Sequence, residues 1–286
     1  MDKRNKRAAL QLAAARVLVY AVIIFLCFLC LFFFVMLFVN SSRTNNQLQR
    51  GFTLIPGGHF FFNMKNAFTD SSIQIPRGMI NSFIVAAGAA VCTTYFSALT
   101  AYGLYVYNFR LKKIAYTFII AVMMIPTQVS AVGFVQLAYK YGLNNKLWVL
   151  IVPSIAAPAV FFYMYQYLKA TLPIDIVEAS RIDGSSEFAT FNRIVLPIMK
   201  PAMAVQMIFS FVAAWNNYFL PALLLTKAEK KTVPIMIAQL RSADYSKFDM
   251  GKVYMLILLA ILPVIVVYVF LSKSIIKGVT SGSVKG

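Results

Sequence analysis

Six stretches of this chain, 17–39, 81–106, 115–139, 147–168, 201–224 and 253–272, contain no Asp, Glu, Lys, Arg or His. A helix needs roughly 20 residues to cross a hydrocarbon core about 30 Å thick, and all six stretches reach that length. The pattern predicts an all-α integral membrane protein with six transmembrane helices. A transmembrane β-barrel is excluded, because its strands would alternate in polarity instead of running continuously apolar. Composition agrees: 60% of residues are hydrophobic and 13% charged, far from the balance of a soluble enzyme or a disulfide-stapled secreted domain.

The charges fall between the spans. Lys and Arg number 27 against 9 Asp and Glu, a net charge of +18. Basic residues in short tails and loops set orientation and meet anionic headgroups, so the charge implies membrane lipid and not nucleic acid as a partner. The tail 1–16 carries Lys3, Arg4, Lys6, Arg7 and Arg16, which predicts that it stays cytoplasmic. An even number of spans then places the 273–286 tail on the same side. The expected organisation is a basic tail at 1–16, a six-span body at 17–272 and a C-terminal tail at 273–286.

Some apparent motifs are weak in this setting. Cys27 and Cys30 have C-x-x-C spacing but lie within the first apolar stretch, where nothing stabilises a thiolate, so they read as small apolar residues. Asn40-Ser41-Ser42 fits a glycosylation sequon only in a eukaryotic secretory membrane. The outer segment 40–80 holds Pro56-Gly57-Gly58, the sole histidine His59, and Phe60, Phe61 and Phe62, and is expected to fold back on the membrane surface. The outer loop 225–252, with Lys227, Lys230, Lys231 and Lys247, reads as a solvated charged surface or a contact for an external partner.

The inner loop 169–200 is different, since it holds Asp175, Glu178, Asp183 and Glu187, four of the nine acidic residues. Pro173 suits the first turn of a helix, and Ile176, Val177, Ala179 and Ile182 recur at near-helical spacing beside Glu178 and Arg181. Gly184 can end that helix. A second short helix capped by Ser185 or Ser186 would run through Phe188, Phe191 and Ile194 to Leu196-Pro197, which would turn the chain into the fifth span. The expected result is a knob that another protein grips.

Glu178-Ala179-Ser180, Gly184 and Ile194-x-Leu196-Pro197 resemble the EAA signature of inner-membrane permease subunits of binding-protein-dependent ABC importers. Asn81-Ser82, Ala101-Tyr102, Ile125-Pro126-x-Gln128-Val129, Trp215-Asn216-x-Tyr218 and the tail from Gly278 to Gly286 resemble the carbohydrate branch, specifically the six-span partner of the maltose-importer type. Ser180 and Ser185 depart from the usual alanine, and Asn217 stands where that family often has an acid. The resemblance implies a subunit of a bacterial or archaeal cytoplasmic membrane that works with a second permease subunit, an ATPase dimer and an extracytoplasmic sugar-binding protein. It implies that Glu178, Ala179, Ser180, Ile182, Asp183, Gly184, Ile194, Leu196 and Pro197 contact the ATPase. Ser283, Val284, Lys285 and Gly286 would add a tail contact.

Absences point the same way. No span carries the ionisable residue on which proton- or cation-coupled transport typically depends, and the chain has no G-x-x-x-x-G-K-[ST] loop. No catalytic site, metal or cofactor is expected in this chain, and ATP and Mg belong to the partner. The spans offer uncharged groups: Gln128 in the third, and Gln206, Ser210 and Asn217 along one face of the fifth, beside Trp215, Asn216 and Tyr218. Amides and aromatics exchange hydrogen bonds with hydroxyls and stack on pyranose faces without trapping a neutral sugar. Pro126, Pro153, Pro158, Pro221 and Pro263 are expected to kink or interrupt their spans. An importer for a non-sugar solute and a channel-like scaffold remain the alternatives.

Overall fold

A computed structural model describes residues 3–70, 74–241 and 249–283, and every regular element among them is helical. By packing, the chain divides into two units: Met1–Thr69 with Ala243–Leu259, and Asp70–Ser242 with Ala260–Gly286.

The first unit is built on α1 (Lys3–Ser41), with α2 (Asn45–Gln49) and α3 (Phe60–Thr69) following it. Thr44 caps α2 in a reciprocal arrangement with Gln47. Arg43, 6% exposed, donates to the carbonyls of Gln47 and Gly51 and to Asn40 Oδ1. Asn63 of α3 donates to the Ser41 and Arg43 carbonyls at 2.8 and 2.9 Å. The start of the last helix packs here too: a Cβ on Gly251 would lie 2.7 Å from the Arg43 carbonyl, so only glycine allows that approach.

The second unit centres on α4 (Ile75–Val106) and α11 (Leu196–Trp215). The buried positions of α4 are mostly small, among them Ser82, Ala86, Ala89, Ala90, Thr93, Thr94, Ser97, Ala98 and Ala101. Small residues let helix axes approach closely in a bilayer, where packing replaces the hydrophobic drive between helices. Ala98, Ala101 and Tyr102 share a core with Phe161, Met164 and Leu168 of α8 (Pro158–Thr171) and with Phe191, Val195 and Met199.

Helices that cross alone are fewer than the charge-free stretches suggest. Among the described residues, four helical segments are long and apolar enough by themselves: Leu12–Ser41, Ile75–Val106, Glu187–Trp215 and Met250–Leu271. The third stretch is two helices, α5 (Lys112–Val122) and α6 (Thr127–Lys140), bent by 94°. Pro126 lacks an N–H and disfavours helical geometry at Ile125, which breaks the ladder there. The fourth is α7 (Trp148–Ile151) with the 3-10 turn Val152–Ile155, followed by α8 at 41°. Counting each bent pair as one span gives up to six.

That fourth-span break is held by α4. Thr93 Oγ1 donates to the Ser154 carbonyl at 3.0 Å, Ser97 Oγ to the Ala157 carbonyl at 3.5 Å, and Ser154 Oγ returns a bond to the Ala89 carbonyl at 3.3 Å. Non-helical backbone at membrane depth must find such partners within the protein.

The fifth span also differs from its expected 201–224 bounds. The helix begins at Glu187 inside the loop and ends at Trp215, and α12 (Phe219–Leu224) is separate. Arg193 and Lys200 marked loop by charge, yet a helix continues through them because its backbone bonds do not require apolar side chains. The remaining elements are α9 (Ile174–Ile182), α10 (Glu187–Thr190), α13 (Val233–Arg241) and α14 (Met250–Ser283).

Candidate functional site: the 173–197 loop and the α11 face

Pro173 stands at the N-cap of α9 and Asp183 at its C-cap, and Gly184 follows with φ +79°. That left-handed conformation lets the Ser185 N–H reach back to the Ser180 carbonyl at 3.0 Å and closes the helix. Ser186, not Ser185, caps the next helix: its Oγ accepts from the Ala189 N–H at 3.3 Å. The expected second short helix does not stop at Leu196-Pro197. α10 passes through a π-turn at Phe191–Val195 directly into α11, with the Leu196 N–H reaching the Phe191 carbonyl. A wider π-turn accommodates Pro197, whose missing N–H leaves a carbonyl one turn back without its helical donor.

The loop has two faces. On the inner one, Val177, Thr190, Phe191 and Val195 are fully buried, and Ser180 Oγ lies 3.1 Å from Thr190 Oγ1, which donates to Ser185 Oγ at 3.0 Å. Glu187 forms a clamp on the end of α4. Arg181 Nε donates to Glu187 Oε1 at 2.7 Å, Tyr102 donates to Oε2 at 3.2 Å, and Tyr107 donates to the same oxygen. The Arg181 guanidinium lies over the Tyr107 ring at 5.4 Å. Burial, and after it the hydrogen bond to Glu187, raises the Tyr107 phenol above its ordinary pKa, so it remains a donor. The hydrogen bond to Glu187 likewise holds Arg181 above its already high value. Tyr95 adds a 3.2 Å bond to Asn192 Oδ1. The outer face exposes Glu178, Ala179, Asp183, Gly184, Phe188 and Ile182, the last 87% accessible.

Ser180 therefore departs from its assignment as a contact residue. It is 5% exposed and points inward, where a hydroxyl finds the Val177 carbonyl and Thr190. Ile194 and Leu196 are half-buried at the π-turn, and Pro197 is exposed. Val284, Lys285 and Gly286 lie outside the described residues, and Ser283 is the last residue of α14.

Of the pathway candidates, Gln206 and Ser210 are half-buried on α11 and Gln128 is exposed on α6. Trp215 is 3% exposed, stacks on Phe211 at 5.7 Å and donates Nε1–H to the Ala260 carbonyl at 3.0 Å. It ties α11 to the last helix instead of presenting a ring to solute. Asn216 and Asn217 sit in the break before α12, so Asn217 does not extend the Gln206–Ser210 stripe; both are exposed, as is Tyr218.

Sequence reasoning missed the staples at the opposite end of α4. Asn81 Nδ2 donates to the Glu229 and Lys231 carbonyls at 3.0 Å each, and Ser82 Oγ accepts from the Val233 N–H at 2.8 Å. Asn145, at φ +60°, accepts from the Thr226 and Lys227 N–H groups at 2.8 Å. The signal was an Asn-Ser pair just inside an apolar helix, where polar side chains need backbone partners.

The described residues thus combine four to six helical segments apolar enough to cross a membrane with a clamped loop helix whose outer face is exposed. The chain belongs to the family of binding-protein-dependent transport system inner membrane components, whose model matches residues 73–278. It is 32% identical to the arabinooligosaccharides transport system permease protein AraQ of Bacillus subtilis (strain 168), covering 96% of this chain and 98% of that protein. It is 29% identical to the lactose transport system permease protein LacG of Rhizobium radiobacter, over 93% and 95%. Its fold matches, with a TM-score of 0.77 at 19% identity and over 96% and 98% of the chains, a crystal structure of a bacterial ABC transporter involved in the import of the acidic polysaccharide alginate.

Proposed function

We propose that this chain is the permease subunit of an ATP-driven importer for a neutral sugar or oligosaccharide, supplying one wall of the path. The relatives named for arabinooligosaccharides and lactose support the carbohydrate class. The uncharged Gln128, Gln206, Ser210, Asn216, Asn217 and Tyr218 suit a neutral solute, and Trp215 is a packing residue in this reading. A second permease subunit forms the opposite wall, an extracytoplasmic binding protein delivers the sugar, and an ATPase dimer carries ATP and Mg. Both termini and the 173–197 loop face the cytoplasm.

The observation that carries the coupling assignment is the two-faced loop. Glu178, Ile182 and Asp183 form an exposed apolar-acidic surface for the ATPase cleft, while Glu187 and Val177 fix the knob to α4 and the core. Closure of the ATPase moves the knob, and the unbroken helical path through α10 and the π-turn carries that displacement into α11. The test is hydrolysis stimulated by sugar-loaded binding protein, with co-purification of the ATPase, in the assembled transporter. Glu178→Lys should weaken both; full association and full stimulation would overturn the coupling role. Gln206→Leu should impair transport with the ATPase still bound, and unchanged transport would return that residue to helix packing.

A further inference from the structure

Within the first unit, the segment between α2 and α3 does not stay level with the end of α1. Phe52 stacks on Phe32 of α1, with ring centroids 6.2 Å apart and planes 29° from parallel. Phe32 lies seven residues before Val39, the end of the charge-free stretch, which is about 10 Å along a helix axis. Helical side chains tilt toward the N-terminus, so its ring lies deeper still. The Phe52 ring is thereby placed within the hydrocarbon layer.

Both limbs of this finger are pinned at the α1 end. Gly51, at φ +101°, turns the chain, and its carbonyl accepts from the buried Arg43. On the return, the Gly57 N–H donates to Ser42 Oγ at 2.8 Å and the His59 N–H to the Ser42 carbonyl at 2.9 Å. Any Cβ on Gly57 would collide with that carbonyl. Between the pins, Phe52, Leu54 and Ile55 are 69%, 54% and 75% exposed, an apolar tip that continues the exposed apolar surface of α1. The exposed face of α3 presents Phe61, Phe62 and Phe68 around Lys65, the composition of a helix at a headgroup boundary with a snorkelling lysine.

We infer that residues 51–57 form an interfacial anchor whose Phe52, Leu54 and Ile55 side chains reach into the acyl chains of the leaflet into which the C-terminal end of α1 emerges, while its backbone stays at the headgroup boundary, where water meets its polar groups. The occupant is lipid because the tip is continuous with the surface of a membrane-crossing helix and held at the depth of Phe32. The inference rests on the membrane crossing of α1 and not on the sugar or coupling assignments. Arg43 fixes the base of this limb, because enclosed there it satisfies the Gln47 and Gly51 carbonyls that would otherwise be left without donors.

The experiment is nitroxide accessibility in the assembled transporter in phospholipid nanodiscs, with Cys27, Cys30 and Cys92 replaced by alanine. A label at Ile55→Cys should collide with oxygen in preference to a polar nickel chelate, matching Phe33→Cys on the exposed face of α1, whereas Asn46→Cys on α2 should show the reverse order. Leu54→Cys gives a second reading should the first variant assemble poorly. Chelate preference at 54 or 55 like that at 46 overturns the anchor. Exclusion of both reagents overturns it too, since protein and not lipid would then cover the tip.

Discussion

The two faces of the 173–197 loop are built from neighbouring residues yet follow opposite rules. On the inner face each polar group has a protein partner: Ser180 with Thr190, Thr190 with Ser185, and Glu187 with Arg181, Tyr102 and Tyr107. On the outer face an isoleucine is left 87% exposed beside two carboxylates. A soluble monomer gains nothing from such an arrangement. A subunit that must hold its own position while engaging another protein needs both, since a loosely seated knob would absorb a push instead of passing it on. The contrast can be broken at the joint, on the outer face, at the clamp or in the interior.

The joint should give the largest effect. Gly184 has φ +79° and open space where a Cβ would project, so substitution there is opposed by backbone strain alone. Gly184→Val should cost about 1–3 kcal/mol locally and disturb both faces together. Loss of ATPase co-purification with increased proteolysis inside 180–190 is expected. Gly184→Asn should retain most of the function, because asparagine tolerates the left-handed region. Equal damage from both would show that strain is not the cause.

The outer face comes next. Ile182→Glu removes an apolar side chain whose burial in a partner is worth roughly 1.5–3 kcal/mol, so ATPase affinity should fall by about tenfold or more. The melting temperature of the isolated subunit should not move, because the residue makes no internal packing contribution at 87% exposure. A lowered melting temperature would place Ile182 on the wrong face.

The clamp should separate position from contact. Glu187→Gln preserves shape and one acceptor but deletes the charge that holds Arg181 and the two phenols. An exposed pair of this kind is worth ~0.5–1 kcal/mol, so stimulated hydrolysis should drop roughly two- to fivefold. Association with the ATPase should persist, since the outer face is untouched. Loss of association without loss of stimulation per bound ATPase would reverse the roles assigned to the two faces.

Much of this loop was legible in sequence because its punctuation is chemical: Pro173 at the N-cap, Gly184 in the left-handed turn, Ser186 as a side-chain cap. The apolar stretches likewise pointed to the four long apolar helices and the two bent pairs, since bilayer thickness sets the length such segments need. What charge counting could not locate were helix ends and breaks. The fifth helix begins at Glu187 because an amphipathic helix continues outside the span at no penalty, and it stops at Trp215, where two consecutive asparagines follow. Trp215 reads as a pathway residue from its chemistry and Ser180 as a contact only through the family resemblance, but a buried indole N–H and a buried hydroxyl both seek carbonyls, and each finds one nearby. The fate of a polar side chain in a helical membrane protein depends on which neighbour presents an unpaired acceptor, and that is a tertiary fact.

The smallest effect is expected in the interior, at Ser180→Ala. The hydroxyl bonds the Val177 carbonyl at 2.7 Å, already part of the helix, and shares a 3.1 Å contact with Thr190 Oγ1. Removing it leaves Thr190 still bonded to Ser185 at 3.0 Å, so no buried group is orphaned. The lost bond, about 0.5–1.5 kcal/mol, is offset by the roughly 0.5 kcal/mol by which alanine outranks serine in a helix. Melting temperature, ATPase association and stimulated hydrolysis should all stay near the parent values. Thr190→Val in the same assays should cost more, because it strips the partner of both Ser180 and Ser185 at a fully buried position. If Ser180→Ala instead abolished association while Thr190→Val did not, residue 180 would have to meet the ATPase directly, and the division of this loop into an inner and an outer face would fail at its centre.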